Sequence, residues 1–534
     1  MDLSVLKKKK LLFLAIVFIA GIILRLAFFS STDMTWDEAF HVIQAFRIAS
    51  VFIIQPVLLT VLLLAAIAVI YFALIRRSLK IVLLGAIAAV LAKFAFDIPV
   101  AFHPRHPPLF NFVTSAVIFL TNISPDVAGK IVSTVSLLAL AVVSYFFGKK
   151  FFSEKFGLIL SAFLILSPLS IFYSSTAFLN PMAVSLAFTS LMLFFYGLQN
   201  TKMLPLSGLL FSAAIATNYT VLVLLPIFAV LLFLDRKKLV KNEHLENAGI
   251  FVVLVLATLI IFLPSIISSA TGYQADWQEG QNKVFVEDIA HYSASIAGRL
   301  GGIPLQPRAT FFLETLSIFF SPAIFLLFLL GALYAFREKN FIVKVMAVVF
   351  LLYLAYFSMQ LGIQFLRYAL IMEFPLLFVS AFGLSNMKNK TAMKLVFGLF
   401  AAFFLLQSIV LLVEHSFTGL SKTVYALPDD SKIYTSFIDP VKYYSLDYVS
   451  DSSYSNKFLS RFLTGIPKEQ RIFYSGEAGL SEIEGIDYAI LTKPFFEQQG
   501  EENLAPLKKC KEITEGKYTL FWVYGKDCSV FSND

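Results

Sequence analysis

Apolar runs of about 17–25 residues, the length that crosses a hydrocarbon core, recur from residue 11 to about residue 413, and charges gather in the short gaps between them. Threading helices through this pattern predicts spans near 11–29, 51–74, 80–96, 126–147, 156–172, 178–197, 205–217, 220–234, 249–269, 311–335, 341–358, 367–386 and 392–413, about thirteen in all. The segment "HPPLFNFVTSAVIFLTNISPDVAGK" has an apolar part too short for a span and is placed as an interfacial or re-entrant helix. From about residue 420 the pattern shortens. Strand-like runs ("SKIYTSF", "RIFYS", "DYAILTK", "YTLFWVYG") alternate with polar, helix-compatible stretches, which predicts a small α/β or α+β domain. The expected organisation is a transmembrane domain over 1–413 and a separate C-terminal domain over 414–534.

Composition agrees with a polytopic membrane protein. Of 534 residues, 58% are hydrophobic and 15% charged, too few charges for a soluble globule of this size. The opening "KKKKLLFLAIVFIAGIILRLAFF" is too apolar for too long to be a signal peptide and reads as a retained first helix with cytoplasmic lysines. The net charge of +8 reports topology, not nucleic-acid binding: Lys/Arg clusters such as Arg76-Arg77-Lys80, Lys149-Lys150-Lys155, Arg236-Lys237-Lys238, Arg337-Lys339-Lys344 and Lys388-Lys390-Lys394 mark the cytoplasmic side of the cell membrane. The opposite, extracytoplasmic side then carries the loops 30–50, 97–125 and 270–310, the segments 173–180, 216–220 and 360–368, and the C-terminal domain. The cytoplasmic loops are short and basic, so chemistry is expected outside. The only cysteines, Cys510 and Cys528, allow one disulfide or two free thiols, and exclude a cysteine-based metal cluster.

Ionisable groups beside a bilayer are costly and so are candidates for function. Asp37 and Glu38 follow the first helix directly, with His41 at helical spacing from both. A carboxylate at a partly dehydrated interface is a better general base than one in bulk water, although the same pair also suits the start of an amphipathic helix. "HPRHPPLF" brings His103, Arg105 and His106 to the same side ahead of a Pro-Pro that begins a helix. His41 and His106, with Asp37 or Glu38, are a conceivable divalent-metal set, but no tight ligand spacing is present. Arg367, followed by Tyr368, stands at the external end of a span, where its planar fork suits a phosphate; snorkelling to lipid headgroups is the competing role.

These motifs together resemble the GT-C superfamily of polyprenyl-phosphate-sugar glycosyltransferases, in particular the branch of protein O-mannosyltransferases and lipid A aminoarabinose transferases. The resemblance rests on "WDEAFH", "HPPLF", "LSPLSIFYSSTAFLNPMAVSLAFTSLMLFFYGL", "LLFSAAIATNYTVLVLLPIFAVLLF" and "FLRYALIMEFPLLFVSAFGL", in that order, and spans most of residues 10–413. It implies an α-helical polytopic fold of the GT-C type and transfer of a sugar from a lipid-phosphate donor to a protein, lipid or glycan acceptor, with inversion. Asp37 would be the general base with Glu38 beside it, and Arg367, Tyr368 and Arg105 would face the donor phosphate. His41, His103, His106, Tyr173, Asn180, Asn218 and Tyr219 would line the site. Two positions depart from the pattern. Asn180 stands where a second acid is expected, and Asn218 where a lysine is common. A transporter or flippase, and an inactive scaffold presenting the C-terminal domain, are the alternatives; against the former, the ionisable residues concentrate at one surface and no half-repeats are visible.

Overall fold

The computed structural model describes residues 3–31, 36–54, 68, 71–95, 107–236, 242–278, 310–359, 366–414 and 420–428, and in the C-terminal portion 431–435, 441, 444, 472–475, 486–492, 504, 507–515 and 518–531. Seventeen α-helices are used here: α1 (Leu3–Ser31), α2 (Trp36–Ile54), α3 (Leu79–Ala95), α4 (Leu109–Thr121), α5 (Pro125–Phe151), α6 (Glu154–Leu166), α7 (Pro168–Ser174), α8 (Asn180–Gly197), α9 (Leu204–Ile215), α10 (Leu225–Leu234), α11 (Asn242–Gln278), α12 (Phe311–Phe320), α13 (Ala323–Arg337), α14 (Phe341–Met359), α15 (Ala369–Ser385), α16 (Lys390–Glu414) and α17 (Leu420–Ala426). Among the described residues, 6 helices are long and apolar enough to cross a membrane, or 7 if the bent pair α6/α7 is one span. A tally near thirteen therefore has to include helices of 10–17 residues. The protein is a multi-pass membrane protein.

Proline explains where the predicted spans break. The run 156–172 is two helices meeting at 54°, because Ser167, forced out of the helical region by Pro168, takes φ −56°, ψ 130° and caps α7 by accepting from the Ser170 N–H. The run 311–335 likewise divides at Ser321-Pro322, where Ser321 has φ 66°. Nothing interrupts the chain between Trp36 and Ile54, so the acidic pair begins a helix that continues past the predicted span start at residue 51. Helix α4, with 13 residues, is about 20 Å long, short of a crossing, as its segment suggested.

α2 is buried on two sides. Ala39, Val42, Ile43 and Phe46, spaced i, i+3, i+4, i+7, share one buried apolar cluster with Leu420, Val424, Ile433, Ile490 and Phe521 of the C-terminal domain. A second face, about a quarter-turn round the helix at Ala45 and Ala49, packs on Ile118 of α4 and Ala128 of α5. The C-terminal domain therefore docks on the helix that carries Glu38.

Among its described residues that domain holds a five-stranded sheet in the order β2-β1-β3-β5-β4, with β1 (Lys432–Thr435), β2 (Ile472–Ser475), β3 (Tyr488–Thr492), β4 (Lys508–Glu515) and β5 (Tyr518–Gly525). β1 pairs parallel to β2 and β3, whereas β5 runs antiparallel to both β3 and β4. Cys510 and Cys528 are disulfide-bonded, tying the edge strand β4 to the turn after β5.

One crossing in the bundle leaves no room for a side chain. A Cβ on Gly383 of α15 would lie 2.6 Å from Leu327 O and 2.7 Å from Gly331 N of α13, and one on Gly331 would run into Val379 O. These are backbone atoms, so no rotamer change relieves the clash. Gly383→Ala should destabilise the protein by about 1–3 kcal/mol. Gly398→Ala, where a Cβ meets nothing within 4 Å, should be neutral or stabilising by up to about 1 kcal/mol. Thermal midpoints in detergent of the two variants check this; equal midpoints would contradict the close packing that places α15.

Candidate active site

The centre of the site is the segment 175–179 between α7 and α8, which is held from several directions. Ser133 Oγ of α5 donates to Phe178 O at 2.9 Å and Thr134 Oγ1 to Ser174 O at 2.6 Å. Gly129, one turn earlier on α5, admits Ala177 so closely that a Cβ there would lie 2.7 Å from the Ala177 Cβ. Ala177 in turn donates its backbone N–H to Glu38 Oε1 at 2.8 Å. Glu38 is 2% exposed, so this carboxylate is a buried strut between α2 and the segment.

Further contacts extend from both ends of that strut. The Arg367 guanidinium, in the 3-10 turn Leu366–Tyr368 ahead of α15, lies 5.7 Å from the centre of the Phe178 ring. His41, one turn beyond Glu38, places Nδ1 3.0 Å from Asn111 Oδ1 of α4, the pairing in which Nδ1–H donates. At the start of α4, after the buried Pro107 and Pro108, the Leu109 N–H donates to Ala216 O at 3.0 Å. Five segments predicted for one side, around 38–41, 107–111, 173–180, 216–220 and 367–368, thus form one continuous set of contacts. Segments predicted for the other side meet each other: Lys155 Nζ donates to Ser385 O at 2.5 Å, and Thr201 Oγ1 bonds His244 Nδ1 at 2.7 Å.

The predicted site residues fare differently. Asp37 stands in the first turn of α2, but its side chain lies outside the described residues, as do His103, Arg105, His106 and residues 279–309. Tyr173 is a core residue, 1% exposed and edge-on to Phe172 and Phe178, so it supports the segment and does not line an open site. Tyr368 stacks on Phe357 at 4.6 Å, so its ring belongs to the packing of the bundle. Asn180 is the buried first residue of α8. Asn218 caps the 3-10 turn Tyr219–Leu224, its Oδ1 accepting from Thr220 N–H and Oγ1 at 3.0 Å each, a turn-forming role that a lysine side chain has no acceptor to fill. Tyr219 packs half-buried against Phe262. Among the described residues no three His, Cys, Asp or Glu side chains converge as a metal site, and His41 has Nδ1 engaged with Asn111.

Sequence reasoning missed Asn111, Arg25, Lys130 and Glu373. Lys130 is 4% exposed and donates to Phe29 O at 3.1 Å, joining α5 to the end of α1 beside the site. For Arg25, Lys130 and Glu373 the available signal was an ionisable residue inside an apolar run.

Residues 105–267 match the family described as dolichyl-phosphate-mannose-protein mannosyltransferase. No curated protein matches the chain at a significant level. Among solved structures, ArnT from Cupriavidus metallidurans in the apo state is similar with a TM-score of 0.50 at 12% identity, over 89% of this chain and 99% of that one. The same protein bound to undecaprenyl phosphate gives 0.48 at 12% identity, over 89% and 99%. The Archaeoglobus fulgidus oligosaccharyltransferase tethered with an acceptor peptide gives 0.48 at 11% identity, over 91% of this chain and 69% of that one. The chain thus has the fold of the GT-C superfamily of glycosyltransferases, and its segment 105–267 is similar to the dolichyl-phosphate-mannose-protein mannosyltransferase family.

Proposed function

We propose that this protein transfers a sugar from a polyprenyl-phosphate carrier to an acceptor hydroxyl at the extracytoplasmic face of the membrane, with inversion at the anomeric carbon. The observation that carries this reading is the joining of 38–41, 107–111, 173–180, 216–220 and 367–368 at one end of the bundle. Asp37 takes the proton from the acceptor hydroxyl, whose oxygen attacks the anomeric carbon from the face opposite the lipid phosphate. The bond from that carbon to the phosphate oxygen breaks, its electron pair leaves on the phosphate, and Arg367 stabilises the charge that develops there. Glu38 fixes the segment 175–179 and takes no proton. The Asn180 and Asn218 substitutions are compatible with this division, since neither a second base nor a second cation is required by it.

The disulfide supports an extracytoplasmic C-terminal domain, because such bonds persist in oxidising compartments. The apolar cluster shared with α2 supports placing that domain on the same side as the site. In the test, purified protein in lipid nanodiscs is given radiolabelled polyprenyl-phosphate mannose, glucose and aminoarabinose with membrane extracts as acceptor source. The expected result is release of polyprenyl phosphate coupled to a labelled product of opposite anomeric configuration. Retained configuration would remove the single-displacement mechanism, and turnover of none of these donors would remove the assigned substrate class.

A further inference from the structure

Among the buried ionisable side chains that the mechanism leaves unused, two converge on one short helix. Arg25 of α1 and Glu373 of α15 are each 1% exposed inside the bundle. Glu373 follows Arg367 by six residues, about 9 Å along a helix, so the pair sits one to two turns beneath the site. This modifies the expectation that ionisable residues gather at the surface alone.

Both side chains grip α7, the seven-residue half of the bent span. Arg25 Nε donates to Ser174 Oγ at 2.6 Å, at the carboxyl end of α7. Its Nη1 donates to Ile165 O at 3.0 Å, at the end of α6 just before the break, and to Gly21 O at 2.9 Å. Glu373 Oε1 accepts from Ser170 Oγ at 2.8 Å, in the first turn of α7. The cation lies at the helix carboxyl end and the carboxylate near its amino end, the arrangement that opposes the peptide dipoles. A side chain at Gly21 would lie 3.0 Å from Arg25 Nη1 and would strike Ile165, so the glycine makes room for the guanidinium.

The two groups attract each other electrostatically, but their described side-chain hydrogen bonds run to α7 and to backbone beside it, not to each other. Arg25 Nη2 and Glu373 Oε2 have no hydrogen-bond partner among the described residues. Burying charge in a bundle is costly, and apolar side chains would hold two helices together at least as well. What directional bonds add is a fixed rotation and depth for a helix too short to set its own. We propose that Arg25 and Glu373 are positioning residues, a clamp on α7 that places the segment 175–179, and through it the Ala177–Glu38 hydrogen bond and the Phe178 ring beside Arg367. For its effect on turnover this rests on the enzymatic reading above; for its effect on the segment it does not.

The test compares Arg25→Met, Arg25→Lys, Glu373→Gln and the double variant Arg25→Met/Glu373→Gln by hydrogen exchange with mass spectrometry, reading peptides over 173–180 against peptides from α14. Arg25→Met should speed exchange over 173–180 roughly tenfold or more while α14 stays unchanged, and Arg25→Lys should restore part of the protection. Glu373→Gln should act more weakly, since the amide oxygen still accepts from Ser170. Where a single variant leaves one charge unbalanced and fails to fold, the double variant removes both, and it should fold yet still exchange fast over 173–180. Native exchange over 173–180 in a folded double variant would overturn the clamp whatever the activity. Fast exchange with a wild type that turns over no donor would leave the clamp standing and remove only the enzymatic reading.

Discussion

Asp37→Asn should lower turnover by about a hundredfold to ten-thousandfold, the usual contribution of a positioned general base, whereas Glu38→Gln should keep most of it. The two carboxylates are neighbours in sequence, but consecutive residues on a helix are rotated by about 100°, so positions 37 and 38 of α2 face different ways. Glu38 is directed into the protein, where Oε1 accepts the Ala177 N–H at 2.8 Å. Glutamine keeps that acceptor. Glu38→Ala does not, and the buried N–H it leaves unpaired should cost about 1–3 kcal/mol, with loss of activity that follows loss of stability. Asp37→Asn is predicted to show the reverse: a native thermal midpoint and almost no release of polyprenyl phosphate. Comparing both readouts across the three variants separates a chemical role from a structural one. A nearly active Asp37→Asn beside an inactive, stable Glu38→Gln would transfer the base to Glu38.

Much of this arrangement could be read from periodicity and charge, and the exceptions have physical causes. Long apolar runs bounded by basic clusters gave helices such as 341–359 and 390–414 within two or three residues, because a bilayer demands both length and sidedness. The breaks at Ser167-Pro168 and Ser321-Pro322 lay in runs of uniform apolarity, where hydropathy is blind to a change of direction and only the proline signals it. Four of five strands were visible as apolar runs. β4, "KKCKEITE", was not, because it is an edge strand with exposed Lys508 and Lys509, and its charge hides its extended backbone. Of the site, the segments were legible but the division of labour was not. Nothing in "WDEAFH" tells which carboxylate turns inward, and the partner of Glu38 is a backbone N–H, which has no letter in a sequence. Arg25 and Glu373 were legible as charges within apolar runs, yet their common target, α7, exists only because of the proline break.

Arg367→Ala should reduce kcat/KM for the lipid-linked donor by about a hundredfold to a thousandfold, comparable to removing one preorganised donor to a developing oxyanion. Arg367 is half-buried at the start of α15, and its place is set by the packing of α13 against α15 and by the Phe178 ring 5.7 Å away. Arg367→Lys should recover only part of the loss, since an ammonium keeps the charge but gives up the planar fork that binds two phosphate oxygens at once. Phe178→Leu should cost less, because a cation–ring contact contributes about 0.5–2 kcal/mol and the apolar packing is kept. Polyprenyl phosphate, as product, should also bind Arg367→Ala more weakly than wild type, by a factor at least comparable to that in kcat/KM, because the charge that develops as the bond breaks is fully present on the released phosphate, whereas binding of the intact donor, a phosphodiester with less charge, should suffer less. Steady-state kinetics with the donor and product inhibition by polyprenyl phosphate supply both numbers. Unchanged product affinity together with unchanged kcat/KM in Arg367→Ala would show that the guanidinium serves the lipid headgroups, and the phosphate would then have to be sought at another cation on the same face, of which the buried Lys130 is the described example.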